Sequence, residues 1–333
     1  MKVFCTLFDS GYLSRGLAMF ESLRKFMPDA YLYVFAFDDK CYQILTSLAL
    51  PNMKVIGLAE FEDPALLNIK SARSRVEYCW TCTPSIILYV LEKFNEAACT
   101  YIDADLYFFA SPQILLDELG SKAVSIISHR YTPEYDQART SGKYCVQFMT
   151  FKNNTDGLKV LSWWRQACID WCYARKENGK FGDQKYLDDW LNRFDSVYEL
   201  QHLGGGVAPW NVQQYQIDCE NAAVLGEEII SGKSFPVIFY HFHQFRYLKR
   251  GRVDLAPYKL NQAVIRCLYV PYYQKLEQIA DMLAKCFPGF EAHLPLKETA
   301  GIKKIAKVLL RKIQGRYNVC SKKELEIAKC RIS

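Results

Sequence analysis

The run Cys99-Thr100-Tyr101-Ile102-Asp103-Ala104-Asp105-Leu106-Tyr107-Phe108-Phe109 decides how the rest of the chain is read. Apolar and aromatic residues surround two aspartates, so the stretch reads as a buried β-strand that carries carboxylates. Burying a carboxylate costs several kcal/mol unless a cation or hydrogen-bond donors compensate. Side chains alternate at period two along a strand, which puts Asp103 and Asp105 on one face. Two hard oxygen ligands facing the same way suit Mg²⁺ or Mn²⁺, with diphosphate oxygens and water completing the shell. The competing reading is a polar strand end entering the turn Ala110-Ser111-Pro112.

Working outward, residues 3–8 and 31–37 are continuously apolar rather than alternating, as parallel strands buried on both faces are. Ser14 can cap a helix that runs to about Phe26. A second helix near 41–48, a strand over 54–58 and a long helical stretch over 71–94 follow, with a break expected at Pro84. Further strands are predicted over 123–127, 144–151 and 237–241, and helices over 156–173 and 258–287. Strand–helix alternation of this kind predicts an α/β fold, a mostly parallel sheet with helices on both faces, with ligands at the carboxyl ends of the strands. Asp9, Asp38 and the aspartate pair all fall at such ends.

The 333 residues, half of them hydrophobic, are enough for one large domain and an appendage. No apolar run approaches the roughly 20 residues that span a bilayer, and the first residues read as a strand rather than a secretion signal. Thirteen cysteines are scattered singly. They read as small buried residues in a reducing cytosol; the Cys79–Cys82 spacing has no second pair to complete a zinc site. Residues 297–333 hold eleven Lys/Arg against three Glu, so the formal charge of +6 divides into +8 for the tail and −2 for the body.

Several segments together resemble bacterial GT-A glycosyltransferases of the family 8 type, over roughly residues 1–250. They are Tyr101-Ile102-Asp103-Ala104-Asp105-Leu106, Trp163-Trp164-Arg165, Phe181-Gly182-Asp183-Gln184-Lys185-Tyr186-Leu187, His202-Leu203-Gly204-Gly205-Gly206-Val207-Ala208-Pro209-Trp210-Asn211 and Phe239-Tyr240-His241-Phe242-His243. The resemblance implies a GT-A, Rossmann-like domain over 1–255; beyond it the residues themselves read as a helical extension over 256–296 and a basic amphipathic tail over 297–333. It implies transfer of a sugar from a nucleotide-diphosphate donor, a UDP-sugar, to a lipopolysaccharide- or capsule-type glycan or glycolipid, with Mn²⁺ or Mg²⁺ as cofactor. Asp103, Asp105 and His241 are then the metal ligands, with His243 as the alternative to His241; imidazole suits Mn²⁺ better than Mg²⁺. Thr6, Asp9, Tyr12, Asp38, Arg75, Asp103 and Ala104 form the nucleotide site, and Asp183 and Gln184 approach the donor sugar. Lys249-Arg250 or Arg246 takes the place of the family's missing Lys-Pro-Trp at the phosphates. The Gly204–Gly206 run is expected to allow close backbone approach to a ligand, and Trp210 and Asn211 to contact the acceptor. Plainer alternatives are helix caps for Asp38 and Asp183, and a core histidine pair.

The tail positions Ile302, Ile305, Ala306, Leu309, Leu310 and Ile313 follow helical spacing, with Lys303, Lys304, Lys307 and Arg311 around them. A basic amphipathic helix of this kind suits an anionic membrane surface. It lacks the interleaved aromatics of a nucleic-acid binder, Tyr317 excepted. These features predict a cytoplasmic protein, peripheral on the inner face of the cytoplasmic membrane. The rival readings are a sugar nucleotidyltransferase, against which the missing Gly-rich basic loop speaks, and an inactive glycan- or membrane-binding protein.

Overall fold

The computed structural model of the chain describes residues 2–220, 223–293, 295 and 302–325. Strands and helices alternate from the start: β1 (Lys2–Phe8), α1 (Leu13–Phe26), β2 (Ala30–Ala36), α2 (Asp39–Leu48) and β3 (Met53–Gly57). The short α3 (Leu58–Phe61) and α4 (Pro64–Lys70) then lead to the long α5 (Arg75–Lys93) and to β4 (Ala98–Ile102). β1 is almost wholly apolar, and its alternate residues enter two separate apolar clusters. Phe4 and Phe8 join Leu17 and Phe20 of α1, whereas Val3, Cys5 and Leu7 join Ile86, Ile87 and Val90 of α5. A strand that is hydrophobic at both phases of its pleat can only sit between two helical layers.

Beyond β4 come β5 (Leu106–Phe108), α6 (Gln113–Glu118), β6 (Val124–Ser128), α7 (Ala138–Ser141), β7 (Tyr144–Cys145), β8 (Phe148–Lys152), α8 (Thr155–Asp170), α9 (Trp190–Arg193) and β9 (Val197–Glu199). The central sheet has the order β3-β2-β1-β4-β8-β6-β7, with β9 beside β6. Its first four strands are mutually parallel; β8 runs against both β4 and β6, and β7 runs against β6. This is the α/β sheet that the alternation predicts, with most strands running one way.

Three local expectations are corrected. The aspartate run is not one strand: pairing stops at Ile102 and resumes at Leu106 in a different, two-stranded sheet, leaving Asp103, Ala104 and Asp105 in the turn. Desolvating two adjacent carboxylates inside a ladder would be costly, and the turn leaves both partly accessible. The strand over 144–151 is likewise split, at Val146-Gln147. Conversely, α5 runs straight through Pro84. An interior proline costs about 3 kcal/mol in a helix, but α5 buries Tyr78, Cys82, Ile86, Ile87, Val90 and Leu91, each worth roughly 1.5–3 kcal/mol.

The remaining strands are β10 (Tyr215–Glu220), β11 (Ala223–Glu228), β12 (Ser234–Pro236), β13 (Phe239–His241), β14 (Arg246–Leu248) and β15 (Arg252–Asp254). α10 (Gln262–Val264) continues through a π-helical turn, Ile265–Tyr269, into α11 (Val270–Cys286), which packs on α1. α12 (Ile302–Ile313) and β16 (Val319–Ser321) follow. β16 pairs with β15, and Arg311 of α12 makes a bidentate pair with Asp254, both contacts 2.7 Å. Ile305, Leu309, Leu310 and Ile313 are exposed. The tail positions Lys297, Lys329 and Arg331 lie outside the described residues. No helix among the described residues is long and apolar enough to cross a membrane.

The cysteines are also corrected in part. Cys219 of β10 is disulfide-bonded to Cys267, 48 residues away in sequence; only the docking of β10 against the helical extension brings them together, and no local motif announces it. Cys79 and Cys82 are free and sit within α5.

Candidate active site

The carboxyl ends of β1, β2 and β4 lie side by side in the sheet, and each is followed by an aspartate: Asp9, Asp38 and Asp103. Asp38 accepts hydrogen bonds from Cys41 N (2.7 Å), Ser10 N (3.1 Å) and Ser10 Oγ (2.8 Å). It therefore caps α2 and belongs to the cleft as well. Backbone and hydroxyl donors hold it below the usual carboxylate range despite the opposing effect of burial. Arg75, the first residue of α5, bridges Asp9 (Nε–Oδ2, 2.8 Å) and Asp38 (Nη2–Oδ2, 2.9 Å). The capping box of Ser74 and Glu77 sets this end of α5, since each side chain bonds the other's backbone N–H. Tyr12 is 43% exposed, with the Arg15 guanidinium 4.4 Å over its ring.

Thr6 does not join this group. It is fully buried in β1 on the phase of Phe4 and Phe8, and its Oγ1 has no partner among the described residues. Period-two alternation turns it under α1 rather than towards the opening. Ala104 likewise buries its methyl group in the α1-side cluster.

Asp103, Asp105 and His241 converge, one ligand atom from each lying within 4.8 Å of the others. His241 Nε2 stands 3.1 Å from Asp105 Oδ1 and 3.8 Å from Asp103 Oδ2. The antiparallel pairing of β13 with β5 sets His241 opposite Leu106, and Phe242 N donates to Asp105 O at 3.0 Å. Tyr101 donates its hydroxyl to Asp103 Oδ1 at 2.8 Å, and Asp103 N donates to Gln147 O at 3.0 Å. His241 Nδ1 meets Gln147 Oε1 at 2.8 Å.

Burial opposes the charge on Asp105, but His241 beside it, with His243 and Arg15 nearby, pulls its carboxyl down to about 2. Burial raises Asp103, with His241 opposing and Asp105 adding to the rise. Burial would lower His241, yet the two aspartates outweigh it and hold the imidazole well above its ordinary value. Two carboxylate oxygens and an imidazole nitrogen form a donor set that fits a divalent first-row cation. His243 stands outside this group. Its Nε2 faces the Gln244 amide at 3.2 Å, and burial together with His241 lowers it to about 4.

Asp183 is buried, and burial plus the Asp103 charge raise its carboxyl to about 7. It makes no side-chain cap to the 3₁₀ turn Gln184–Asp189; Trp164 Nε1 instead holds its carbonyl at 3.0 Å. Gln184 donates its amide to Ser141 O at 2.7 Å. Lys249 and Arg250 sit on the exposed turn between β14 and β15.

Two readings of the loop over 203–211 are overturned. Trp210 is buried, gives its Nε1 to His129 O (2.9 Å) and packs edge-on against His241 and His243. Asn211 is fully buried and bonds Ala208 N, His129 O and Gly206 O. Both support the site from behind and leave no surface for an acceptor sugar. The glycines serve close packing within the protein: a Cβ on Gly204 would fall 1.9 Å from Pro236 O, and one on Gly205 2.8 Å from Leu115. Arg15 and Gln147 are participants that sequence patterning misses, because single residues inside strand- or helix-like runs carry no motif.

No family model matches the chain. It is 29% identical to the uncharacterized protein YfnD of Bacillus subtilis over 296 residues, 86% of this chain and 92% of YfnD. It is 30% identical to the uncharacterized protein YfnF of the same organism over 253 residues, 74% and 82% of the two chains. Among solved structures, it is similar to mouse xyloside xylosyltransferase 1 (TM-score 0.46, 11% identity, 73% of this chain and 98% of that one). It is also similar to the galactosyltransferase LgtC in complex with donor and acceptor sugar analogs (0.41, 15%, 62% and 75%). A third similar structure is the glycosyltransferase GlyE of Streptococcus pneumoniae (0.40, 17%, 61% and 47%).

Proposed function

The chain belongs to the family of Bacillus subtilis YfnD and YfnF, and we propose that it is a metal-dependent glycosyltransferase moving a sugar from a nucleotide-diphosphate donor, a UDP-sugar, to a glycan acceptor. The observation that carries this reading is the convergence of Asp103, Asp105 and His241 beside the carboxyl ends of the parallel strands. A bound Mn²⁺ or Mg²⁺ supplies Lewis-acid stabilisation of the charge that develops on the leaving diphosphate. The chain's own residues do the rest. Asp103, Asp105 and His241 hold the cation. Asp9, Asp38, Arg75 and Tyr12 line the nucleoside side. Asp183, with Gln184 beside it, faces the sugar, where a carboxylate stabilises positive charge at the anomeric carbon.

The acceptor is a lipid-linked surface glycan of lipopolysaccharide or capsule type, reached at the inner face of the cytoplasmic membrane. The apolar face of α12, exposed among the described residues at Ile305, Leu309, Leu310 and Ile313 with Lys307 and Lys312 exposed beside it, supports attachment to an anionic bilayer. The test is Mn²⁺-dependent turnover of a panel of nucleotide sugars by the wild-type chain and by Asp105→Ala. A loss of about 100-fold or more is expected, in line with removal of a group that stabilises transition-state charge. No turnover of any donor, or turnover indifferent to the substitution, rejects the reading.

A further inference from the structure

Gln147 occupies the break between β7 and β8 and is fully buried. Its carbonyl accepts Asp103 N–H at 3.0 Å, and its Oε1 faces His241 Nδ1 at 2.8 Å. Its Nε2 has no hydrogen-bond partner among the described residues. One residue thus reaches two of the three converging residues from behind, His241 through its side-chain amide oxygen and Asp103 through its backbone carbonyl. Which nitrogen of an imidazole can ligate a cation is set by the hydrogen bond that the other nitrogen makes. With Nδ1–H donated to Gln147, the lone pair falls on Nε2, the nitrogen that faces Asp105 and Asp103.

The fold makes room for this amide. Gly206 has φ +84°, and a Cβ there would lie 3.0 Å from Gln147 Nε2 and 2.9 Å from Ile127 Cδ1. The last glycine of the Gly204–Gly206 run is therefore the seat of the Gln147 side chain.

From these contacts we propose that Gln147 is the positioning residue of the metal site: it orients His241 to ligate through Nε2 and, through its carbonyl, holds the Asp103 turn. The inference rests on the proposed metal site. It is tested on the full chain by measuring Mn²⁺ affinity directly, from the free-ion electron paramagnetic resonance signal, for wild type, Gln147→Met and Gln147→Glu. Circular dichroism in chelator reports folding of each. Gln147→Met is near-isosteric and removes the acceptor, so Mn²⁺ binding should weaken about 10–100-fold. Gln147→Glu keeps an acceptor for Nδ1–H and should bind at least as tightly as wild type. Wild-type affinity in Gln147→Met, or a Gln147→Glu as weak as Gln147→Met, overturns the inference while leaving the metal site standing. If Gln147→Met does not fold, Gln147→Glu decides alone, and a tenfold loss there is the overturning result. A wild-type chain that binds no Mn²⁺ removes the metal site and this inference together.

Discussion

At the scale of single residues, the site sets carboxylates whose charge is compensated, Asp38 and Asp105, beside ones whose charge is costly, Asp103 and Asp183. Asp183 is the clearest case, with its carboxyl raised to about 7 by burial and by Asp103. In the unfolded chain the same group ionises near its ordinary value of 3.8. Folding therefore retains a proton between those two values, and stability drains away as pH rises across that window. Above about pH 7 the full cost is in place, on the order of 4 kcal/mol at about 1.4 kcal/mol per unit. Asp183→Asn should accordingly melt higher than wild type at pH 8, with the difference closing as pH falls towards 4. An equal melting difference at both pH values would refute this. The same substitution should depress sugar transfer, a trade of activity for stability often found at catalytic groups. Asp103 and Asp105 are legible because carboxylates among apolar residues call for an explanation, whereas Asp183 and His241 are pointed to by the family resemblance. Thr6, Trp210 and Asn211 are buried, which their place in the sequence does not tell, because adjacency in sequence says little about which way a side chain faces. Gln147 went unread because a neutral amide in a strand-like run breaks no rule.

At the scale of elements, the interruptions matter more than the elements themselves. Splitting 98–108 into β4 and β5 turns the aspartates out of the ladder, and splitting 144–152 brings Gln147 behind them. Pairing of β5 with β13 then delivers His241. None of these breaks carries a proline or glycine at the break itself, so local patterning reads each run as continuous. At Pro84 the reverse holds, since a breaker is present and burial of α5 overrides it. The start of α5 was readable in principle, for Ser74 and Glu77 have capping-box spacing. Ser74→Ala removes the side-chain acceptor for Glu77 N and should lower stability in urea unfolding by about 1 kcal/mol. An unmoved midpoint would show that the cap contributes nothing.

At the scale of the whole molecule, the tail is joined to the body rather than trailing from it. β16 extends the β14–β15 pair, and Arg311 is locked on Asp254, yet among the described residues Ile305, Leu309, Leu310 and Ile313 of α12 stay exposed. Deleting the tail would also remove β16, so point changes test membrane attachment more cleanly. Leu309→Asp with Ile313→Asp should abolish sedimentation with anionic vesicles and leave turnover on a water-soluble acceptor unchanged. Undiminished sedimentation would exclude α12 as the anchor. The Cys219–Cys267 link ties β10 to the helical extension across 48 residues; closing a loop of that size is worth about 2–4 kcal/mol. Reduction should therefore lower the melting temperature, and a Cys219→Ser chain should lose that sensitivity to reductant.

The amino-acid sequence by itself determined the layered α/β plan, because strands apolar at both phases and helices apolar on one face have few other ways to leave water. It also marked the acidic residues at the strand ends, since an ionised group among hydrocarbon is expensive. Only the tertiary structure decided which of them meet, which histidine faces them and what stands behind that histidine. Those outcomes depend on strand breaks and pairings between segments as distant as Asp105, Gln147 and His241, and no local rule reaches that far along a chain.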